Sequence, residues 1–130
     1  MIEINHTTIT GKQLAELFTA SGIHRPTEDL GRMQRMLNNA NILLTAWDDQ
    51  KLVGVLRGVS DMSYCTFVSD LAVARNYQHQ GIGSALLNFL HTELGPNVSI
   101  LLLSAPSAMA FYPRQGFELV TTAFKKQRVF

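Results

Sequence analysis

The chain has one cysteine, Cys65, so no intramolecular disulfide can form and the fold must rest on packing. Charge is sparse and balanced: 11 basic against 10 acidic residues leave a net charge of +1. No global field draws such a chain to nucleic acid or to an anionic membrane, and neither partner is expected. Long apolar runs are also missing. The most apolar stretch, VSILLLSAPSAMAFY, falls short of the roughly 20 residues of a membrane-spanning helix and contains Pro106. MIEINHTTIT lacks the basic and apolar segments of a secretory leader, which makes cytoplasm the expected compartment. His24, His79 and His91 show no metal-ligand spacing, and no metal is expected. What is present is 46% hydrophobic residues in 130, enough to pack one core, so residues 1–130 are read as a single domain.

Periodicity then divides the chain. Lys12–Ser21 has apolar residues at three- and four-residue spacing and reads as a helix, with Gly22 as its left-handed cap. After IHRP, Thr27 is expected to cap a second helix whose apolar face is Leu30, Met33, Met36 and Leu37. Two β-rich runs flank Asp48, Asp49 and Gln50 as a hairpin, and a third extended run, YCTFVSDLAVA, ends at Ala74. Gly81–Leu94 reads as a helix with Ile82, Leu86, Leu87 and Leu90 on one face, stopped by Gly95 and Pro96. VSILLLS is expected to be a strand buried on both faces, SAMAFYPRQG a short helix broken near Pro113, and FELVTTAFKKQRVF a final strand. The order β-α-α-β-β-β-α-β-α-β predicts a mixed α/β layer fold.

The segment QHQGIGSALLNFL places Gly81 and Gly83 where a helix begins, although glycine costs about 1 kcal/mol relative to alanine inside a helix. Two readings account for them. A phosphate approaching the unpaired N–H groups of the first turn needs a backbone free of side chains, with Gln78 or Gln80 as additional donors. Alternatively, a neighbouring strand packs closely against the helix start. The P-loop pattern is absent, and the dinucleotide fingerprint fails because Leu86 stands in place of its third glycine.

Gln78-x-x-Gly81-x-Gly83 resembles the Q/R-x-x-G-x-G/A signature of the GNAT superfamily of N-acetyltransferases. SDLAVARNYQHQGIGSALL looks like the family's strand, loop and helix, and ILLLSAPSAMAFYPRQGF like its next strand and helix, ending in FY-x-x-x-GF. The resemblance implies a single-domain GNAT-like fold: a mixed, mostly antiparallel sheet with a splayed central strand pair and helices on both faces. It implies acetyl-CoA as co-substrate. Leu71, Ala72 and Val73 would meet the pantetheine arm through main-chain groups, and Gln78, His79, Gln80, Gly81, Ile82, Gly83 and Ser84 would hold the pyrophosphate. Where many members have a pantetheine-binding asparagine seven residues before the helix tyrosine, this chain has Ala105, with Ser104 or Ser107 as a substitute.

Acetyl transfer to an amine needs an uncharged nucleophile, a polarised thioester carbonyl and a proton for the leaving thiolate. By the resemblance, Tyr112 is the candidate acid and the N–H of Val73, or one near it, the carbonyl donor. A phenol of pKa near 10 is protonated at neutral pH and comparable in acidity to a thiol. The alternative for Tyr112 is packing. Asp70 is the candidate base, on the strand face opposite Leu71 and shared with Ala72, and Asp61 is the second; for both, a solvated or ion-paired carboxylate is the competing reading. Arg25 and Arg57 either line an acceptor pocket or lie on the surface.

The expected activity is an acetyl-CoA-dependent N-acetyltransferase acting on the primary amine of a small molecule. A non-catalytic CoA-binding sensor and a protein or aminoacyl-tRNA acetyltransferase are the alternatives. The last strand is a candidate homodimer contact.

Overall fold

A computed structural model describes residues 1–129. Strand β1 (Ile2–Asn5) is followed by helices α1 (Gly11–Ser21) and α2 (Leu30–Asn38), then by β2 (Ile42–Asp48), β3 (Lys51–Ser60) and β4 (Cys65–Val73). Helix α3 (Ile82–Leu94) leads to β5 (Ser99–Leu102). The sheet order is β1-β2-β3-β4-β5; the first four strands are antiparallel, and β4 and β5 are parallel. Helices cover both faces. One core joins Leu14, Phe18, Met33 and Leu37 of α1 and α2 to Val55 and Ala72, and the other joins Leu86 and Leu90 of α3 to Leu44, Leu56 and Val68.

Local chemistry explains most of the boundaries. Thr10 and Gln13 form a reciprocal capping box at the start of α1, and Gly22 ends it at φ +83°. Asp48 pairs with Lys51 across a two-residue turn in which Asp49 takes a positive φ, closing the expected hairpin. Among the described residues, no helix is long and apolar enough to cross a membrane.

Several expectations are corrected. The cap of α2 is Asp29, whose carboxylate accepts from Arg32 N–H at 3.0 Å, because Thr27 and Asp29 are first drawn into a tight turn by Arg25 and Pro26 carbonyls. Leu30, at the first turn of α2, is exposed, whereas Met33 and Leu37 are buried. Strand β5 is not buried on both faces. It has four residues, and only Ile100 and Leu102 turn toward the α3 core, because no helix lies over the other face. In place of one broken helix over SAMAFYPRQG, residues 106–116 carry two separate 3-10 turns, Pro106–Ala108 and Tyr112–Gln115. The expected final strand does not form over residues 117–129, where no neighbouring strand receives it; its last position, Phe130, lies outside the described residues.

Candidate active site

The sheet opens where β4 outruns β5. Their pairing covers only Cys65–Val68 opposite Ser99–Leu102, which leaves residues 70–73 of β4 paired with a strand on the β3 side alone. A bulge marks the point of divergence: Arg57 faces Asp70 and Gly58 faces Val68, so Ser69 is the extra residue. Gly58 is required there, because a Cβ would stand 2.4 Å from the Phe67 carbonyl oxygen. Beyond the bulge, Ala74 N–H donates to Val53 C=O at 2.9 Å. Main-chain groups alternate along a strand, so those of Leu71 and Val73 point away from β3 into the gap. The Val73 carbonyl is occupied by the Gln78 amide, Nε2 to O 2.8 Å, and the Val73 N–H is left directed at the opening. Leu71 and Val73 place their side chains on the α3 side; Ala72 packs under α1.

The second element is the turn into α3. Gly81 is the N-cap residue at φ +84°, no side chain caps the helix, and the first intrahelical bond runs from Ala85 N–H to Gly81 C=O. The N–H groups of Ile82, Gly83 and Ser84 therefore have no partner within the helix and face outward with the positive end of its dipole. A Cβ on Gly81 would meet nothing within 4 Å, which removes close packing as the reason for glycine there. At Gly83 a Cβ would lie 3.4 Å from the Phe111 ring, an ordinary contact. His79 also takes a positive φ, and His79 and Gln80 are exposed. Both glutamine amides are engaged with the protein: Gln78 with Val73 and Ser21 carbonyls, Gln80 with Asn76 C=O at 3.3 Å. An open, uncapped helix start beside an unpaired strand edge fits a ligand with a phosphate group and an amide-bearing arm.

Tyr112 opens the last 3-10 turn, half-buried between Phe111 and Phe117, whose rings meet it edge-on at centroid distances of 5.0 and 5.7 Å. The three rings pack on the same α3-side core as Leu71 and Val73. Burial pushes the phenol pKa above its ordinary value, so it keeps its proton throughout the neutral range. The residues between β5 and this turn carry Ala105, and Ser104 Oγ donates to the Ala105 carbonyl at 2.8 Å.

Asp70 shares the α1 side of the strand with Ala72, as alternation requires, but it is fully buried there. Arg25 Nε meets Oδ1 at 2.8 Å and Arg57 Nε meets Oδ2 at 2.5 Å. Arg25 Nη2 also donates to the Ser69 carbonyl and Arg57 Nη2 to the Ser69 hydroxyl. Both carboxylate oxygens are thus committed, and the two arginines clamp the bulge rather than lie free on the surface. The pairing joins residues 45 positions apart, a relation no local motif signals. Asp61 sits in the β3–β4 turn, accepting from the N–H groups of Ser63, Tyr64 and Cys65. Those bonds, that from Tyr64 foremost, hold its pKa below the ordinary value. Beside the end of β4, under α1, a cavity of about 440 Å³ is lined by Glu16, Leu17, Lys51, Arg75 and Tyr77 among others. It lies on the opposite side of the sheet from Tyr112's core.

Comparison with known proteins agrees with this geometry. Residues 10–129 match the acetyltransferase (GNAT) domain family. A Staphylococcus aureus protein described as a probable acetyltransferase has the same fold, with a TM-score of 0.85 at 20% identity over 100% of this chain and 99% of that one. A Deinococcus radiodurans acetyltransferase-like structure gives a TM-score of 0.77 at 25% identity, covering 97% of this chain and 88% of its own. A Glycine max protein named as a histone acetyltransferase is 33% identical over 73 residues, 55% of this chain and 32% of that protein. The chain thus spans about a third of the length of the curated relatives it matches. With the opened β4–β5 pair, the uncapped glycine turn and a match over nearly the whole length, the chain belongs to the GNAT acetyltransferase family.

Proposed function

We propose that this acetyltransferase domain uses acetyl-CoA to acetylate the primary amine of a small molecule. The observation that carries the reading is the Val73 N–H directed into the β4–β5 gap, with the open α3 start a short loop away. Acetyl-CoA would supply a thioester carbon open to attack by the amine, forming the amide C–N bond as the C–S bond breaks. The chain's part is binding, orientation and proton handling. Gly81, Ile82, Gly83 and Ser84 present N–H groups to the pyrophosphate, His79 and Gln80 border it, and Gln78 braces the loop. Leu71, Ala72 and Val73 form the edge along which the pantetheine arm lies, with the Val73 N–H on the carbonyl oxygen. Tyr112 keeps a proton available for the sulfur. Asp70, with both oxygens held by arginine, acts as a positioning residue, and the amine's proton passes to water.

A small-molecule acceptor is the first reading; the cavity of about 440 Å³ under α1, lined by Lys51 and Arg75 as well as Glu16, lies across the sheet from Tyr112 and is not taken as the acceptor site. A protein acceptor is the second reading, favoured by the name of the Glycine max relative. Thiol release measured against a panel of polyamines, amino sugars and lysine peptides, with acetyl-CoA affinity measured separately, tests both. Release with small amines supports the proposal, and release with peptides alone replaces it. Tight acetyl-CoA binding without release from any acceptor would make the domain a CoA sensor.

A further inference from the structure

Tyr77 stands one residue before the loop assigned to the pyrophosphate and has no part in the contacts described so far. It closes the 3-10 turn Arg75–Tyr77 that follows β4, its N–H donating to Ala74 C=O at 2.8 Å. The ring is partly buried and packs against the cores on both sides of the sheet. Its hydroxyl leaves the loop and donates to Asp48 Oδ2 at 2.6 Å, joining residues 29 positions apart. That hydrogen bond to the carboxylate raises the phenol pKa above its ordinary value, so the hydroxyl remains a donor through the neutral range. Lys51 Nζ stands over the ring face, 5.3 Å from its centroid. Asp48 and Lys51 are the last register pair of the β2–β3 hairpin, set opposite each other by the turn through Asp49. The hairpin tip thus grips one aromatic side chain at two points, its hydroxyl and its face. Asp48 Oδ1 also faces the amino group of Met1 at 3.9 Å, an exposed pair of little weight.

The loop that follows needs such an anchor. His79 and Gly81 both take positive φ, at +64° and +84°, and His79, Gln80 and Gly81 are exposed. The Gln80 amide bonds within the loop, to Asn76 C=O, and adds nothing to its hold on the rest of the domain. Gln78 ties the loop to α1 and β4. A loop that becomes ordered only when its ligand arrives loses affinity to its own conformational entropy, and one ordered beforehand does not. We propose, on the cofactor reading above, that Tyr77 is a positioning residue for acetyl-CoA: held by Asp48 and Lys51, it fixes the loop in the arrangement that leaves the α3 start open to the pyrophosphate. The tip of the β2–β3 hairpin, which lies outside the cofactor site, thereby sets cofactor affinity.

Calorimetric titration of the full chain with acetyl-CoA tests this in Tyr77→Phe, in Asp48→Ala, in the two combined, and in Asp48→Asn, whose side-chain carbonyl can still accept from the phenol. Tyr77→Phe keeps the packing of the ring and Asp48 is partly exposed, so each variant should fold, as far-UV circular dichroism would verify. The dissociation constant should rise about three- to tenfold in Tyr77→Phe and in Asp48→Ala, and no further in the combination, because both remove the same bond. Asp48→Asn should bind within about twofold of the parent. A bond that served stability alone would lower the unfolding midpoint and leave these affinities unchanged. Parent-like binding in Tyr77→Phe, losses that multiply in the combination, or an Asp48→Asn as weak as Asp48→Ala would overturn the proposal while the parent still binds, the last by assigning the effect to charge. A parent that does not bind acetyl-CoA would overturn the cofactor reading, and this inference with it.

Discussion

The Gln78 side-chain amide donates to the Val73 carbonyl at 2.8 Å and to the Ser21 carbonyl at 3.2 Å. One residue of the loop thereby joins the end of α1 to the end of β4 at the place where β5 no longer supports that strand. The bond uses the acceptor of Val73 and leaves its donor facing the gap. Gln78→Leu should strand two carbonyls, with a loss of about 1–3 kcal/mol in stability and weaker acetyl-CoA binding. Denaturant unfolding together with calorimetric titration would check it. Parent-like values in both would reduce Gln78 to a surface residue.

Gly81 allows charge to be separated from backbone strain. Asn and Asp tolerate the left-handed conformation found there better than other side chains, and nothing within 4 Å would obstruct either. Gly81→Asp and Gly81→Asn should therefore be equally stable. The aspartate alone should weaken acetyl-CoA binding by about tenfold or more, by setting a carboxylate against phosphate at the helix start. Equal affinities in the two variants would count against a pyrophosphate site.

Asp70→Asn should destabilise the domain severely. It removes the carboxylate that two guanidinium groups share, at a position with no solvent access, and breaking a buried ion pair in this way costs about 3–5 kcal/mol. Replacing Ser69 with Ala would remove only one of the bonds to the bulge. If Asp70→Asn melted like the parent while losing turnover, Asp70 would instead be a proton acceptor in the reaction.

Tyr112→Phe retains the ring that packs between Phe111 and Phe117 and removes the hydroxyl alone. Turnover should fall by about 10²- to 10⁴-fold, mainly in kcat, with acetyl-CoA affinity nearly unchanged. Parent-like kcat, with chemistry rate-limiting, would leave Tyr112 as packing.

The same phenol predicts a pH dependence. Its pKa is raised in the folded state by burial, so the folded chain holds this proton more tightly than the unfolded one. The corresponding stability is fully present below the unfolded value near 10 and is lost as pH rises through the folded value. Unfolding midpoints followed upward from neutral pH should decline above about 10, and less steeply in Tyr112→Phe. Identical slopes would place the titration elsewhere.

What was legible in the sequence is what is encoded locally. The apolar spacing of Ile82, Leu86, Leu87 and Leu90 fixed the buried face of α3, Gly22 its left-handed cap at the end of α1, and alternation put Asp70 and Ala72 on one side of β4. Gly81 and Gly83 marked the helix start because an uncapped, side-chain-free turn is costly without a purpose. Tertiary structure decided whatever depends on which segments meet. That Asp70 would be shared by Arg25 and Arg57 follows from α1, β3 and β4 converging at a bulge, and nothing near Asp70 in the chain reports it. FELVTTAFKKQRVF has strand chemistry, yet residues 117–129 form no strand, because strand-forming residues become a strand only where the packed chain lays them against another, and here it does not. Periodicity encodes which face of an element is apolar; only the packed chain determines what lies against it.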